Sequence, residues 1–273
     1  MKKITWIVDN FSINEGSKEL EEAFKFNDVP YLVLPKDYSH SCLEKFTTGK
    51  QCVMFHGTIE MTEIIKKQIP NCFPLSYYTQ QNYLCSRYLS HFGEYLFNDK
   101  YAIISLSELG RQRFLYYGIF GTDALIFIRP DSGQKPFQAQ LLDIIDLDNF
   151  LKRNAHLSHE LVVVSSPKNI KWEGRFIVSK NKEIISYSTY QFQGQVTKIP
   201  SVPYGSLELV KKILDVEYFP DSVFCIDICQ DADNNYWLLE INSFSSAGLY
   251  ACNKNTVVEK VSEIAISDFE KSF

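Results

Sequence analysis

The chain lacks paired cysteines, a long apolar run, an excess of basic residues and any internal repeat, and each absence narrows what it can be. Its seven cysteines (Cys42, Cys52, Cys72, Cys85, Cys225, Cys229 and Cys252) are odd in number and never spaced as Cys-x-x-Cys. They read as reduced, mostly buried thiols of a cytoplasmic protein rather than as a disulfide framework. Cys225 and Cys229 with Asp227 supply three zinc-ligand types, but no second cysteine or histidine pair joins them, so a zinc site is set aside. No stretch approaches the ~18 apolar residues needed to span a bilayer. The opening MKKITWIVDN is interrupted by Thr5 and Asp9, which suits a first strand better than a signal peptide. A formal net charge of −5 argues against a general nucleic-acid or anionic-membrane surface.

What is present is a globular composition, 45% hydrophobic and 22% charged over 273 residues, enough for one large or a few small domains. Residues 4–8, 31–34 and 52–55 are short apolar runs of strand type, and residues 17–26 and 58–69 carry apolar side chains at helical spacing. That alternation over residues 1–70 predicts a small α/β domain with a mainly parallel sheet. No glycine-rich phosphate loop occurs in it, so its expected use is to present one wall of a binding cleft. Residues 71–97 are dense in aromatics with helical character after Asn82, and are expected to serve packing. Ser105 to Glu108 has the form of a capping box that opens a helix reaching about Tyr117. Further helices are expected over 149–155, over 206–216 and after Lys254. His156 and His159 are read as surface or packing histidines.

The most informative stretch is 222–250, SVFCIDICQDADNNYWLLEINSFSSAGLY. Side chains alternate along a strand, so Cys225, Asp227 and Cys229 share one face. On the partner strand Leu238, Glu240 and Asn242 point together. With the turn centred on Asp233 and Asn234, Asp227 lies across from Glu240, and facing carboxylates repel unless a cation joins them. Two carboxylates and an amide oxygen form a hard donor set of the kind that suits Mg²⁺ shared with phosphates. The alternative is an ordinary hairpin with both acids solvated, since sheets with one wet face are common.

Residues 123–142 hold a second feature. An apolar strand ends in Arg129, a turn follows at residues 130–133, and Lys135 comes just after it. Two cations beside a glycine-containing turn can neutralise phosphate oxygens, although a solvated strand end reads the same way. Residues 161–164 form a buried strand that emerges into Ser165, Ser166 and Pro167, a link at which a base can meet backbone edges. A hairpin over residues 172–190 then sets Arg175 toward the polar side of its sheet.

In this order, the segments FIRPDSGQKPF, VVVSSPKNIKWEGRFIV and LLEINSFSSAGLYAC resemble the ATP-grasp superfamily, and within it a branch of bacterial and phage proteins with arginine at the strand-end phosphate position. The resemblance covers residues 95–265 well and the N-terminal part loosely. It implies an ATP-grasp fold of mixed α/β and α+β class preceded by a small N-terminal α/β domain. Three regions are expected: residues 1–90 on the substrate side, 91–165 as a central lobe and 166–273 as a lobe carrying metal ligands, with ATP between the lobes. By position it further implies that Asp227, Glu240 and Asn242 hold Mg²⁺ and that Arg129 and Lys135 neutralise phosphates. Val164 and Ser165 meet the adenine, and Arg175 faces the transferring phosphoryl group as the catalytic residue. The link lacks the acidic residue that binds ribose in many members.

The implied activity is an ATP-dependent carboxylate-amine ligase working through an acyl-phosphate on small-molecule or peptide substrates. A kinase or a non-catalytic nucleotide-binding protein of the same fold are the alternatives. Such chemistry needs charge stabilisation more than a protein nucleophile, consistent with the lack of a Ser-His-Asp set or catalytic cysteine. Lys198, Tyr187 and the loop over residues 243–248 are candidate substrate contacts.

Overall fold

Three sheets carry the fold, and their strands fall one set to each of residues 1–90, 91–165 and 166–273. The computed structural model describes residues 4–9, 17–35 and 37–273. The polar stretch expected after the first strand, residues 10–16, lies outside the described residues, as do Lys2 and Lys3. By contact, the chain divides into two compact units. One comprises Met1–Thr79, Trp172–Ile228 and Glu240–Phe273, and the other Gln80–Lys171 and Cys229–Leu239.

The first sheet is built from β1 (Thr5–Asp9), α1 (Ser17–Phe26), β2 (Tyr31–Leu34), β3 (Gln51–His56), α2 (Ile59–Gln68) and β4 (Cys72–Leu75). Its order is β2-β1-β3-β4 and every pairing is parallel, as the alternating pattern predicts. Thr58 caps α2, its hydroxyl accepting from the Met61 amide at 3.2 Å. Strand β4 was not expected from the sequence, where residues 71–97 were read for their aromatics, and Pro74 within it lacks a ladder donor. Its place at the sheet edge resolves this, since an edge strand tolerates a missing donor.

The second sheet follows α3 (Cys85–Phe92) and is made of β5 (Tyr101–Ser105), β6 (Ile126–Pro130), β7 (Gln140–Leu142) and β8 (Leu161–Ser165) in the order β5-β8-β6-β7. Helices α4 (Leu106–Arg111), α5 (Arg113–Phe120) and α6 (Ile144–Arg153) cover it, burying Leu106, Leu109, Phe120, Leu147 and Phe150 against Ile126, Ile128 and Val162. Ser105 caps α4 by accepting from the Glu108 amide, as the capping-box spacing predicts, but the single helix expected there breaks at Gln112. Helix α6 starts at Ile144, earlier than expected, because the Asp143 carboxylate accepts from the Asp146 amide at 2.8 Å.

The third sheet has the order β11-β10-β9-β12-β13: β9 (Trp172–Ser179), β10 (Ile184–Phe192), β11 (Gln195–Ile199), β12 (Val223–Gln230) and β13 (Tyr236–Ser243). Helix α7 (Tyr204–Asp215) precedes β12, and α8 (Lys254–Lys271) closes the chain. Strand β9 lies at the centre and is buried along its whole length, the condition under which apolar runs replace alternation. Within the first unit, α8 rests on α1, β3, β4 and β10, and Trp6 of β1 donates its indole N–H to Ser262 of α8 at 2.9 Å. The core there joins Trp6, Phe24, Met54, Ile177, Cys225, Phe244 and Val258. No described helix is long and apolar enough to cross a membrane, and all seven cysteines are free.

Candidate active site

Strand β12 lies between β9 and β13, so both of its edges are paired, and it is buried along nearly its whole length, Asp227 included. A carboxylate so placed requires a charged or strongly donating partner. Arg175 on β9 supplies it: Nε donates to Asp227 Oδ1 at 2.8 Å and Nη2 to Oδ2 at 2.7 Å, a two-pronged pair of the geometry that guanidinium favours. The remaining nitrogen, Nη1, donates to the Gly248 carbonyl at 3.0 Å. Burial works against the Arg175 charge, but the Asp227 carboxylate outweighs it and holds the guanidinium protonated.

On β13 the amide of Asn242 joins the two acids. Its Nδ2 donates to Asp227 Oδ2 at 2.9 Å and to Glu240 Oε1 at 2.8 Å. Asp227, Glu240 and Asn242 therefore gather on one face, and the reading in which both acids are merely solvated fails at Asp227. Arg175 corrects a further expectation, for its side chain is 8% exposed and locked to a carboxylate instead of projecting from a polar surface.

Around this core stand Glu173, Tyr190 and Tyr250. The Tyr190 hydroxyl donates to Glu173 Oε2 at 2.6 Å, and Gln191 donates to the other carboxylate oxygen. Burial pushes the Glu173 carboxyl above its ordinary range, with Asp227 and Glu240 adding to the rise. Tyr190 and Tyr250 stack with centroids 4.8 Å apart, and the Arg175 guanidinium lies 5.0 Å from the Tyr250 ring. Glu173, Tyr190 and Tyr250 were not anticipated from sequence; only the strand alternation of Glu173 with Arg175 could have signalled the first.

Among the described residues no three His, Cys, Asp or Glu side chains gather as a metal-binding group. The candidate set is instead two carboxylates and an amide. Its oxygens are the hard donors a magnesium ion prefers, and Asn242 already holds both acids within reach of one another. The set fits such an ion once the Asn242 amide turns to offer Oδ1 where Nδ2 now donates to both acids, with the Asp227 charge answered by Arg175 in the ion's absence.

The residues predicted to bind phosphate and adenine belong to the second unit. Arg129 lies on β6 opposite Val163 of β8, half-buried. Lys135 is exposed beyond the turn and takes the left-handed conformation (φ 48°). Asp131 anchors this turn, its carboxylate accepting from the Ser86 amide at 2.6 Å and the Ser86 hydroxyl at 2.7 Å. Val164 and Ser165 sit on β8 with strand partners on both sides, Ala102 and Ile128 for the first and Tyr101 and Phe127 for the second. Their backbone is thus committed to the sheet, against the expectation of a free edge for the base. The Ser165 hydroxyl, fully buried, has no hydrogen-bond partner. Elsewhere in the second unit a hollow of about 310 Å³ is lined by Leu96, Phe97, Lys168, Asn169 and Trp237 among others. Lys198 is exposed on β11, and Tyr187 packs near Phe176.

The family model for the ATP-grasp domain, R2K clade family 2, matches residues 110–260, more than half of the chain. The chain belongs to this ATP-grasp family. Similar solved structures include the D-cycloserine synthetase DcsG, with TM-score 0.69 and 11% identity over 96% of this chain and 99% of that one. The ATP complex of D-alanine–D-alanine ligase from Bacillus anthracis has TM-score 0.64 and 11% identity over 100% of both chains. The ATP-grasp ligase PsnB with its minimal precursor has TM-score 0.60 and 13% identity over 98% and 99%. At these identities the likeness is one of fold. No curated protein matches the chain in sequence. The ATP-grasp fold thus extends across the whole chain, N-terminal parallel sheet included, and Arg175, Asp227, Glu240 and Asn242 all lie inside the family match.

Proposed function

We propose that this ATP-grasp protein is an ATP-dependent ligase that joins a carboxylate to an amine, acting on small-molecule or peptide substrates. The observation that carries the reading is the Asn242 amide holding the Asp227 and Glu240 carboxylates together on one sheet face, within the matched family domain. Two proteins of similar fold, D-alanine–D-alanine ligase and PsnB, are ligases, which supports the reaction class.

In the proposed reaction a substrate carboxylate oxygen bonds to the γ-phosphorus as the bond to the ADP oxygen breaks, giving an acyl-phosphate. The amine nitrogen then bonds to the acyl carbon, phosphate leaves, and the amine proton passes to water or to a substrate group. Asp227, Glu240 and Asn242 would hold Mg²⁺, which when bound neutralises phosphate charge. Arg129, on the strand-end position that marks the proposed branch, and Lys135 would bind phosphate oxygens. Arg175 would turn a donor toward the transferring group once the ion answers the Asp227 charge in its place. The Ser165 hydroxyl, with the chain just beyond it, would meet the adenine, Val164 packing beneath. The three regions 1–90, 91–165 and 166–273 would serve as substrate-side domain, nucleotide lobe and metal lobe.

The test is release of ADP and phosphate across pairs of candidate acids and amines, with mass spectrometry of the product. An amide product with stoichiometric phosphate supports the ligase. A stable phosphorylated product would identify a kinase, and binding of Mg-ATP without turnover under any pair would leave only a nucleotide-binding role.

A further inference from the structure

Helix α5 (Arg113–Phe120), RFLYYGIF, carries no charge after its first residue and is apolar on every side. A helix of that kind belongs in an interior, because packing one face on a sheet leaves the other in water. Its packed arc is the more polar of the two. Tyr116, Tyr117 and Phe120 lie against the core of the second sheet, the Tyr117 hydroxyl donates to the Leu142 carbonyl at 2.7 Å, and Arg113 donates to the Gly110 carbonyl at 2.9 Å. The water-facing arc is Phe114, Leu115, Gly118 and Ile119, spaced as one helix face requires. It holds no polar side chain.

Single exposed apolar residues are ordinary, but these are gathered. Phe114 is 70% exposed, Leu115 51% and Ile119 58%, and Ile145 in the first turn of α6 is 69% exposed. Ile145 borders the same surface. The Arg113 guanidinium lies 5.0 Å from the Phe114 ring and reaches Asp148 Oδ1 at 3.7 Å, and Asp148 stands one turn along α6 from Ile145. Together the four side chains present on the order of 400 Å² of apolar surface. Gly118 sits among them facing open space, for a Cβ there would meet nothing within 4 Å, so another backbone can come close.

The surroundings select the occupant. Two ion pairs border the patch: Arg111 donates twice to Glu108, at 2.8 and 2.6 Å, and Arg113 faces Asp148. Asp143 and Asp146 stand at the N-terminus of α6, whose dipole offsets them. A rim so near balance offers no strong field to a nucleic acid, an anionic membrane or a charged peptide. It does complement a copy of itself, since a two-fold axis sets the same patch against the same patch. The area agrees. Each partner of a standard interface gives up about 800 Å², and the four side chains supply about half of that before the rim is counted, in keeping with the apolar cores of homodimer interfaces.

We propose that the exposed face of α5 is the interface of a two-fold homodimer. In it α5 of one protomer crosses α5 of its partner at Gly118, with Phe114, Leu115 and Ile119 packed between the helices and Ile145 at the margin. The dimer does not depend on the reaction proposed above.

The experiment is sedimentation velocity of the full chain over a concentration series, on the wild type, on Leu115→Glu and Ile119→Glu, and on Phe26→Glu as a control at a residue 76% exposed on α1. The wild type should pass from monomer to dimer with a dissociation constant of about 10 µM or tighter. Leu115→Glu and Ile119→Glu should each raise that constant by about tenfold or more, and Phe26→Glu should leave it unchanged. Should the α5 variants fail to fold, hydrogen exchange of the α5 amides in the wild type, slowing as protein concentration rises, gives the same answer. A monomer at every concentration, a dimer that both α5 variants keep, an equal loss of the dimer in Phe26→Glu, or α5 exchange that ignores concentration overturns the proposal. A wild type that stays monomeric and sediments with phosphatidylcholine vesicles overturns it in favour of a membrane surface.

Discussion

Asp227 and Arg175 are each almost wholly inside the protein, with side chains 1% and 8% exposed, so neither can lose its partner to water. Removing one charge strands the other. Asp227→Asn is expected to destabilise the protein by about 3 to 5 kcal/mol, measured by urea denaturation. Replacing both residues by apolar ones of similar volume should recover much of that loss, because the desolvation of two charges is then avoided. His56 gives a second test. Its folded value of about 4 lies below the ordinary 6.5, so between those values the unfolded chain binds more protons than the folded one. Stability should be fully present above about pH 6.5 and fall on the order of 3 kcal/mol as the pH drops toward 4. Unfolding free energies from pH 7 to 4 should show this slope in wild type and lose it in His56→Phe. At this scale Asp227, Glu240 and Asn242 were legible in the sequence, because strand alternation alone puts each on a definite face. The Arg175–Asp227 pair was not, since which strand would flank β12 is a matter of sheet order that no local pattern records.

Helix boundaries turn on single side chains. Asp143 satisfies the Asp146 amide at the start of α6, and Ser105 satisfies the Glu108 amide at the start of α4. Each substitution to alanine should cost about 1 kcal/mol, seen as a lowered thermal midpoint, and the two should add because they cap different helices. The Ser105 cap could be read from its spacing to Glu108, whereas the Asp143 cap lay within a run of acids, Asp143, Asp146 and Asp148, in which any one could have led the helix. The break at Gln112 is equally invisible to periodicity, as apolar residues continue on both sides of it through Phe114 and Tyr117. Strands β1, β2 and β3 were clear from their buried apolar runs. Strand β4 was hidden among the aromatics of residues 71–97, and β11 by its largely exposed side chains, which leave no apolar signal to detect.

For the molecule as a whole, binding that favours the folded state raises stability by mass action, and the amount is set by how far ligand exceeds its dissociation constant. Mg-ATP at a hundredfold excess over that constant should add about 2.7 kcal/mol, a rise of several degrees in the melting midpoint for a chain of this size. Magnesium alone should do far less. Without nucleotide the ion must compete for Asp227 with Arg175, which already makes two hydrogen bonds to the carboxylate, and it has no phosphate oxygens to share the coordination. ATP with a chelator should likewise fall short, because the phosphates then face Glu240 with no ion to offset the repulsion. Glu240→Ala removes an acid that Asn242 holds beside Asp227, and should abolish most of the Mg-ATP shift while leaving the ligand-free midpoint close to that of wild type, since Glu240 is only half-buried. A melting series with magnesium, ATP and the two together, on both proteins, separates these effects. An equal Mg-ATP shift in Glu240→Ala would mean that the nucleotide is held without the β13 carboxylate. The gathering of Asp227, Glu240 and Asn242 on one face would then serve the sheet's internal charge balance alone.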